Sequence, residues 1–521
     1  VRLEIWAVSR AIQSKASLLP AMPDLATCSQ QEWDDVFPGL RRPSEAPMDL
    51  APIRKYEAAT RKARASQHMP GCCSIAILGD QALQVGAFGR ADLEHDLPMR
   101  TDSIVRLYCL TKPMVATALM ILVERGCCKL DDEVSQYLPE FRDVKVCARR
   151  TNLRATPEDQ RARQKLTLRR LLTHSSGLGY GPVLGMDPAG PEEEAYADIV
   201  RKCDGGQIKN LKELSRAIAA LPLRFHPGEK YLYSYGLDIV GRVVEAISGK
   251  PLDRFLKAEI FDPLGMKDTG FSVPPGVAKK RLVALYATPE NKEAMGAKAD
   301  PAAVKHRSPL GTLVRVDGER PEQSAWVGGR SCPVLSGGGI MGQNRGGMIS
   351  TLADQACFYL MLLRGGRLSQ ASRQILRPKT IEAMWGKDWL AQPSTVGRPC
   401  RDKGKLFGWH ALGEIGIVKR PMRQHYPDFF ELGEWGMAGA ACTHVTVVPK
   451  RKLLCLWFTQ TLEGWPGWKS PEQNLWTAAR EVALASGPVE VIDSSTAREH
   501  AKKRAREAGA PTRSVKRRRT S

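Results

Sequence analysis

The chain has 521 residues, a formal net charge of +21 and a 43% hydrophobic fraction, the composition of an ordinary globular fold with enough chain for a sizeable core. It contains no run of about 18 apolar residues, so no transmembrane helix is expected, and Val1–Pro20 lacks the clean apolar block of a secretory signal. The thirteen cysteines are scattered or adjacent, as in Cys72-Cys73 and Cys127-Cys128, which fits no zinc spacing and implies buried reduced thiols; neither a metal nor another cofactor is expected.

Residues 1–49, punctuated by Pro20, Pro23, Pro38, Pro43 and Pro47, show no sustained periodicity and read as an irregular leader. Alternating apolar and basic positions predict an amphipathic helix over Ala51–Gln67. Two strands follow, Cys73–Leu78 and Ala82–Gly89, joined at Gly79-Asp80. Then comes Val105-Arg-Leu-Tyr-Cys-Leu-Thr-Lys-Pro-Met-Val-Ala-Thr-Ala-Leu-Met-Ile-Leu-Val-Glu-Arg-Gly126, almost continuously apolar from Lys112 to Glu124 and closed by Gly126. It reads as a buried helix, with Pro113 tolerated because it stands near the start. Residues three apart share a helix face, so Cys109 and Lys112 would be neighbours, with the thiol in the first turn, where unpaired N–H groups favour negative charge.

After a polar, basic stretch ending at Lys165 comes Leu166-Thr-Leu-Arg-Arg-Leu-Leu-Thr-His-Ser-Ser-Gly177. His174, between Thr and Ser in a turn, reads as a group that satisfies local backbone rather than a catalyst. Helices are predicted over Leu211–Leu221, Leu237–Ser248, Thr351–Arg364 and Lys379–Met384. The glycine-dense Ser336–Ser350 fits no phosphate loop and suggests a tight passage under a site. Strands at His444–Pro449 and Lys452–Gln460 and a helix over Pro471–Ala485 complete the series. Strand-like runs at both ends and helix in between predict one mostly antiparallel sheet built from Cys73–Gly89 and Thr443–Gln460.

Several of these segments, in this order, resemble the superfamily of serine β-lactamases, penicillin-binding proteins and family VIII esterases. Cys109-x-x-Lys112 is similar to its S-x-x-K motif with cysteine for serine, Leu171–Leu178 resembles its LLTHTSGL segment, and Phe261-Asp-Pro-Leu-Gly-Met-Lys-Asp-Thr-Gly-Phe271 is another close match. Tyr233-Ser-Tyr235 resembles the Y-x-N motif, with Tyr235 where lactamases carry Asn. Gly436–Thr443 resembles the third motif, whose first position, usually Lys, His or Trp, is here Met437. The resemblance, over roughly residues 50–485, implies an α/β, β-lactamase/transpeptidase-like fold: an antiparallel sheet flanked by helices, with a mostly helical insertion from about 110 to 340. The domain would span 50–490.

The resemblance also implies a reaction. Cys109, Lys112 and Tyr233 would be catalytic. The backbone N–H groups of Cys109 and Ala440 would form an oxyanion hole, and Tyr235, Met437, Ala438 and Gly439 would line the binding site. A thiol beside an ammonium can ionise without a separate base, giving a thioester intermediate on a small-molecule acyl ester or amide. Tyr235 and Met437 argue against β-lactam hydrolysis. The alternative is a catalytically impaired relative that keeps the pocket for binding. Ser103, Ser234, His410 and His444 are weaker candidates, none of them in a recognisable triad motif.

From Glu499 onward, nine Lys/Arg stand against two Glu. The tail 491–521 is expected to be disordered; the clusters Lys502–Arg506 and Lys516–Arg519 read equally as a solvated tail with loose affinity for polyanions or as a two-part signal for a nuclear import receptor, with the protein placed in the cytoplasm or nucleus. No aromatic-interleaved basic face points to specific nucleic-acid binding.

Overall fold

The structure is a computed structural model that describes residues 24–64, 69–147, 160–180, 191–230, 232–287, 313–318, 336–338, 347–385, 411–412, 417–418, 435–462 and 471–486. The basic tail, His410 and most of 288–346 lie outside the described residues.

The strands and helices that position the site are β1 (Gly71–Leu78), β2 (Gln81–Asp92), β3 (Leu97–Pro98), β4 (Val105–Arg106), β5 (Ile349–Ser350), β6 (Ala411–Leu412), β7 (Ile417–Val418), β8 (Trp435–Gly439), β9 (Thr443–Val448) and β10 (Leu453–Phe458), with α1 (Ala51–Arg64), α2 (Thr111–Glu124), α3 (Leu168–Leu172), α4 (Leu211–Ala219), α5 (Gly236–Ser248), α6 (Leu352–Leu363) and α7 (Pro471–Ala485). One eight-stranded antiparallel sheet runs β6-β7-β8-β9-β10-β1-β2-β3. Its centre is the expected joint between distant parts of the chain, β1 on β10, with Cys73 opposite Phe458 and Leu78 opposite Leu453.

Side-chain alternation explains why these two strands are apolar on both faces, Ser74 excepted, whose buried hydroxyl meets Tyr56 and Gln84. Cys73, Ile75 and Ile77 face the same core as Leu454, Leu456 and Phe458, whereas Cys72, Ala76 and Leu78 face the opposite one with Leu453, Cys455 and Trp457. A strand covered on both faces needs apolar residues at every position rather than at every second one. On one face Ile53 and Tyr56 of α1 and Leu475, Ala479 and Val482 of α7 close the smaller core. On the other, α2, α5 and α6 form the main core. Described residues between 111 and 281 are mainly helices and their connecting turns, with one pair of two-residue strands, Lys145–Val146 and Gln160–Arg161.

Residues 24–49 differ from the irregular leader that was expected. Gln30–Val36 is a helix opened by a Ser29/Glu32 capping box, and Leu25, Trp33, Phe37 and Leu40 are buried in the main core. Trp33 Nε1 donates to the Leu40 carbonyl at 2.6 Å. The apolar positions 33, 36, 37 and 40 do follow helical spacing, but over two turns flanked by prolines the pattern is too short to stand out.

Candidate active site

The segment that carries Cys109 is fixed before it reaches the cysteine. Val105 and Arg106 pair with Ser350 and Ile349, and Arg106 exchanges hydrogen bonds with the Gln460 side chain through its N–H (2.8 Å) and carbonyl (3.1 Å). The wholly buried Arg106 guanidinium donates to the Val283 carbonyl at 2.6 Å and pairs with Asp317. Asp317 also pairs with Arg315 at 3.0 Å, and Arg315 with Asp92 at 2.8 Å. Buried ions need such mutual pairing to offset lost hydration.

Beyond β4 the chain makes a tight 3-10 turn, Tyr108–Leu110, with Tyr108 at φ +48°. Leu107 N–H donates to the Met348 carbonyl at 2.8 Å and Met348 N–H to Thr111 Oγ1 at 3.0 Å, which ties both sides of the turn to one residue. Cys109 therefore sits in the turn that leads into α2 and not in its first α-helical turn, since Leu110 is the N-cap. The consequence foreseen from the spacing survives this shift. Lys112 is buried in the first turn of α2, near enough to Cys109 for the thiol to act on its charge.

The Lys112 ammonium also donates to the Gly338 carbonyl and lies 4.6 Å from the centroid of the Tyr233 ring. Burial lowers its pKa; the neighbouring Cys109 and Asp238 act in the opposite direction. Tyr233 is held by aromatic neighbours, with the His174 ring at 4.6 Å and Tyr180 edge-on at 5.4 Å. His174, at φ +52°, accepts the Ser234 N–H on Nδ1 at 3.1 Å, and its carbonyl accepts the Leu232 N–H at 2.8 Å. With Nδ1 as acceptor the ring is neutral, and burial together with the Lys112 charge pushes its pKa down to about 3. Its role is the structural one expected.

The third motif approaches from the sheet. Gly439 at the end of β8 lies so close to the nucleophile turn that a Cβ there would come within 2.3 Å of the Leu107 carbonyl oxygen, and Thr443 Oγ1 donates to the same oxygen at 3.2 Å. Met437 is buried, while Ala438 and Ala440 are half-buried. Tyr235 has no exposed surface and packs between Tyr180 at 4.8 Å and Tyr196 at 5.8 Å, so it builds the wall behind Tyr233. Among the weaker candidates, Ser103 is buried in a turn where its hydroxyl accepts the Arg100 N–H at 3.0 Å. His444 lies beside Trp457 of the smaller core, on the far side of the sheet from Thr443 and its Leu107 contact.

Two residues at the site went unnoticed in the sequence. Tyr180 is buried, its hydroxyl held neutral by burial and by the nearby Tyr233 and Cys109. Asp238 is a buried carboxyl at the start of α5, accepting from Ser336 Oγ at 2.7 Å. Its one visible sign was a charge inside the apolar run Gly236-Leu-Asp-Ile-Val-Gly241. Burial pushes its pKa up to about 6, against hydrogen bonds from Ser336 and the Gly338 backbone and the nearby Lys112 charge.

Comparison with known proteins agrees with this arrangement. The chain is 35% identical over 232 residues to esterase EstB of Burkholderia gladioli, covering 44% of the chain and 54% of the esterase. It is 35% identical over 202 residues to lovastatin esterase of Penicillium rubens, covering 38% and 47%. Each match thus spans about half of the relative. The unliganded simvastatin synthase LovD of Aspergillus terreus has the same fold, with a TM-score of 0.59 and 23% identity over 84% of this chain and 99% of that one. A profile of the family described as beta-lactamase matches residues 56–479, most of the chain and every element of the site, and on that evidence the chain belongs to the beta-lactamase family.

Proposed function

We propose that the protein is an acyl-ester hydrolase of the esterase and acyltransferase type, with Cys109 as nucleophile. The observation that carries this reading is the Lys112 amine, buried one turn on from Cys109 and packed over the Tyr233 ring. The relatives named as esterases support the reaction class. Cys109 Sγ attacks the carbonyl carbon of a small-molecule ester, its proton passing to Lys112. The oxyanion is met by the N–H groups of Cys109 and Ala440. Collapse expels the alcohol, which takes a proton by way of Tyr233, and leaves a thioester. Water then attacks the thioester, releasing the acid and restoring the thiol. A lysine with its pKa lowered by burial suits the base role, because the amine must be free of its proton to accept another.

The test is mass spectrometry after exposure to p-nitrophenyl acetate and butyrate. One acyl group should appear on the peptide containing Cys109 and be absent from Cys109→Ala. Tyr233→Phe should slow release of p-nitrophenol by about 10²-fold or more, and Cys109→Ser should turn over faster than the parent. If the parent takes up no acyl group and Cys109→Ala binds the same esters equally well, the site is a binding pocket.

A further inference from the structure

Lys112 can serve Cys109 only if something holds its amine in place and sets its charge. Its carbonyl acceptor is Gly338, in the short segment Ser336–Gly338, which packs on the start of α5. A Cβ on Gly337 would come within 2.4 Å of the Leu237 carbonyl oxygen, and one on Gly338 within 2.1 Å of the Asp238 carboxylate. Ser336 donates to that same carboxylate. The segment is thus gripped at one end by the carboxyl group of Asp238 and presents the Gly338 carbonyl to Lys112 at the other.

We infer that Asp238 is a positioning residue for the reaction proposed above: it anchors Ser336–Gly338 so that Gly338 holds the Lys112 amine against Cys109, and it supplies the buried counter-charge of that amine. The other titratable groups gathered there are Cys109, His174, Tyr180, Tyr233 and Tyr235. His174 and Tyr180 stay neutral, because burial lowers the pKa of one and raises that of the other. A carboxylate beside an ammonium favours the charged amine, so Asp238 opposes the burial that drives Lys112 toward the neutral form. The balance between that burial and the opposing influence of Cys109 and Asp238 sets the pH at which Lys112 becomes a base.

Asp238→Asn separates anchor from charge, since the amide oxygen still accepts from Ser336 while the charge is gone. Lys112 is followed without substrate, by its 13C-labelled Cε resonance, assigned through its loss in Lys112→Met. The expected result is a Lys112 midpoint lower by about one pH unit, a tenfold change in its acid constant. The rising limb of the p-nitrophenyl acetate pH profile should shift the same way. An unchanged midpoint in Asp238→Asn overturns the inference whatever the esterase assay gives. A wild type that titrates as described but is never acylated overturns only the proposed function. Should the asparagine variant fail to fold, Asp238→Ser, small, hydrogen-bonding and uncharged, must give the same downward shift.

Discussion

Single residues at this site owe their chemistry to what surrounds them, and the part that could be read in advance was the part fixed by local spacing. Cys109 and Lys112 are three apart in one turn, so sequence alone paired them, and Tyr233 followed from its motif. Tyr180 and Asp238 reach the site from separate elements, and the one local sign of either, the charge of Asp238 inside an apolar run, does not say where that charge ends up. Asp354 is another such residue, with consequences for stability. It is buried at the start of α6, accepts the Asp268 N–H at 2.9 Å and the Thr269 hydroxyl at 2.7 Å, and stands beside the Asp268–Arg281 ion pair. Burial, reinforced by the Asp268 charge, raises its pKa from an ordinary 3.8 to about 7. A folded-state pKa above the unfolded one means that the proton stabilises the fold. That contribution is complete below about pH 4 and is lost as pH rises through 7. Asp354→Asn, which keeps the acceptor oxygen, should therefore gain on the wild type between pH 4 and pH 8 by about 2–4 kcal/mol. Urea unfolding at the two pH values measures this, and parallel losses in both proteins would refute it.

At the scale of elements, the site is a junction where a turn, a strand end and a short segment meet without room to spare. The turn at Tyr108–Leu110 is tied to Met348 on one side and to Thr443 on the other. Gly439 is the point of closest approach, so Gly439→Ala should wedge β8 away from Leu107. Crowding of this kind costs about 1–3 kcal/mol, and the rate of Cys109 acylation should fall further than that loss of stability accounts for. A thermal melt paired with acylation kinetics gives both quantities; an alanine variant with unaltered kinetics would show that strand and turn need not touch. The helices at this level were legible because their apolar stripes are long. α2, α5, α6 and α7 lie within a residue or so of the expected spans, and α5 ends at Gly249 in the left-handed conformation. The seven-residue helix Gln30–Val36 was not, for the converse reason.

For the whole molecule, the sheet was foreseeable because strand-like runs stand toward both ends of the sequence with helix and loop between them, so the strands had to meet each other to complete a sheet. What could not be foreseen was the buried ionic lattice of Arg106, Asp317, Arg315 and Asp92, since charged residues far apart in the chain look like ordinary surface positions until folding joins them. A chain stopped at residue 434 lacks β8, β9 and β10 and leaves the β1 edge uncovered. It should be recovered as aggregate and show no cooperative unfolding, whereas a soluble product with a sharp transition would mean that the helical region folds alone.

The pairing of Cys73 with Phe458 also sets a timetable for biosynthesis. At about 5–20 residues per second, the ribosome finishes β1 tens of seconds before it makes the partner strand. Throughout that interval Gly-Cys-Cys-Ser-Ile-Ala-Ile-Leu stands at the edge of a nascent hairpin, with backbone groups open to any neighbouring chain. Until translation is nearly over, the strand that makes the mature sheet continuous is an unpaired, largely apolar edge, the kind of surface on which nascent chains stick to one another.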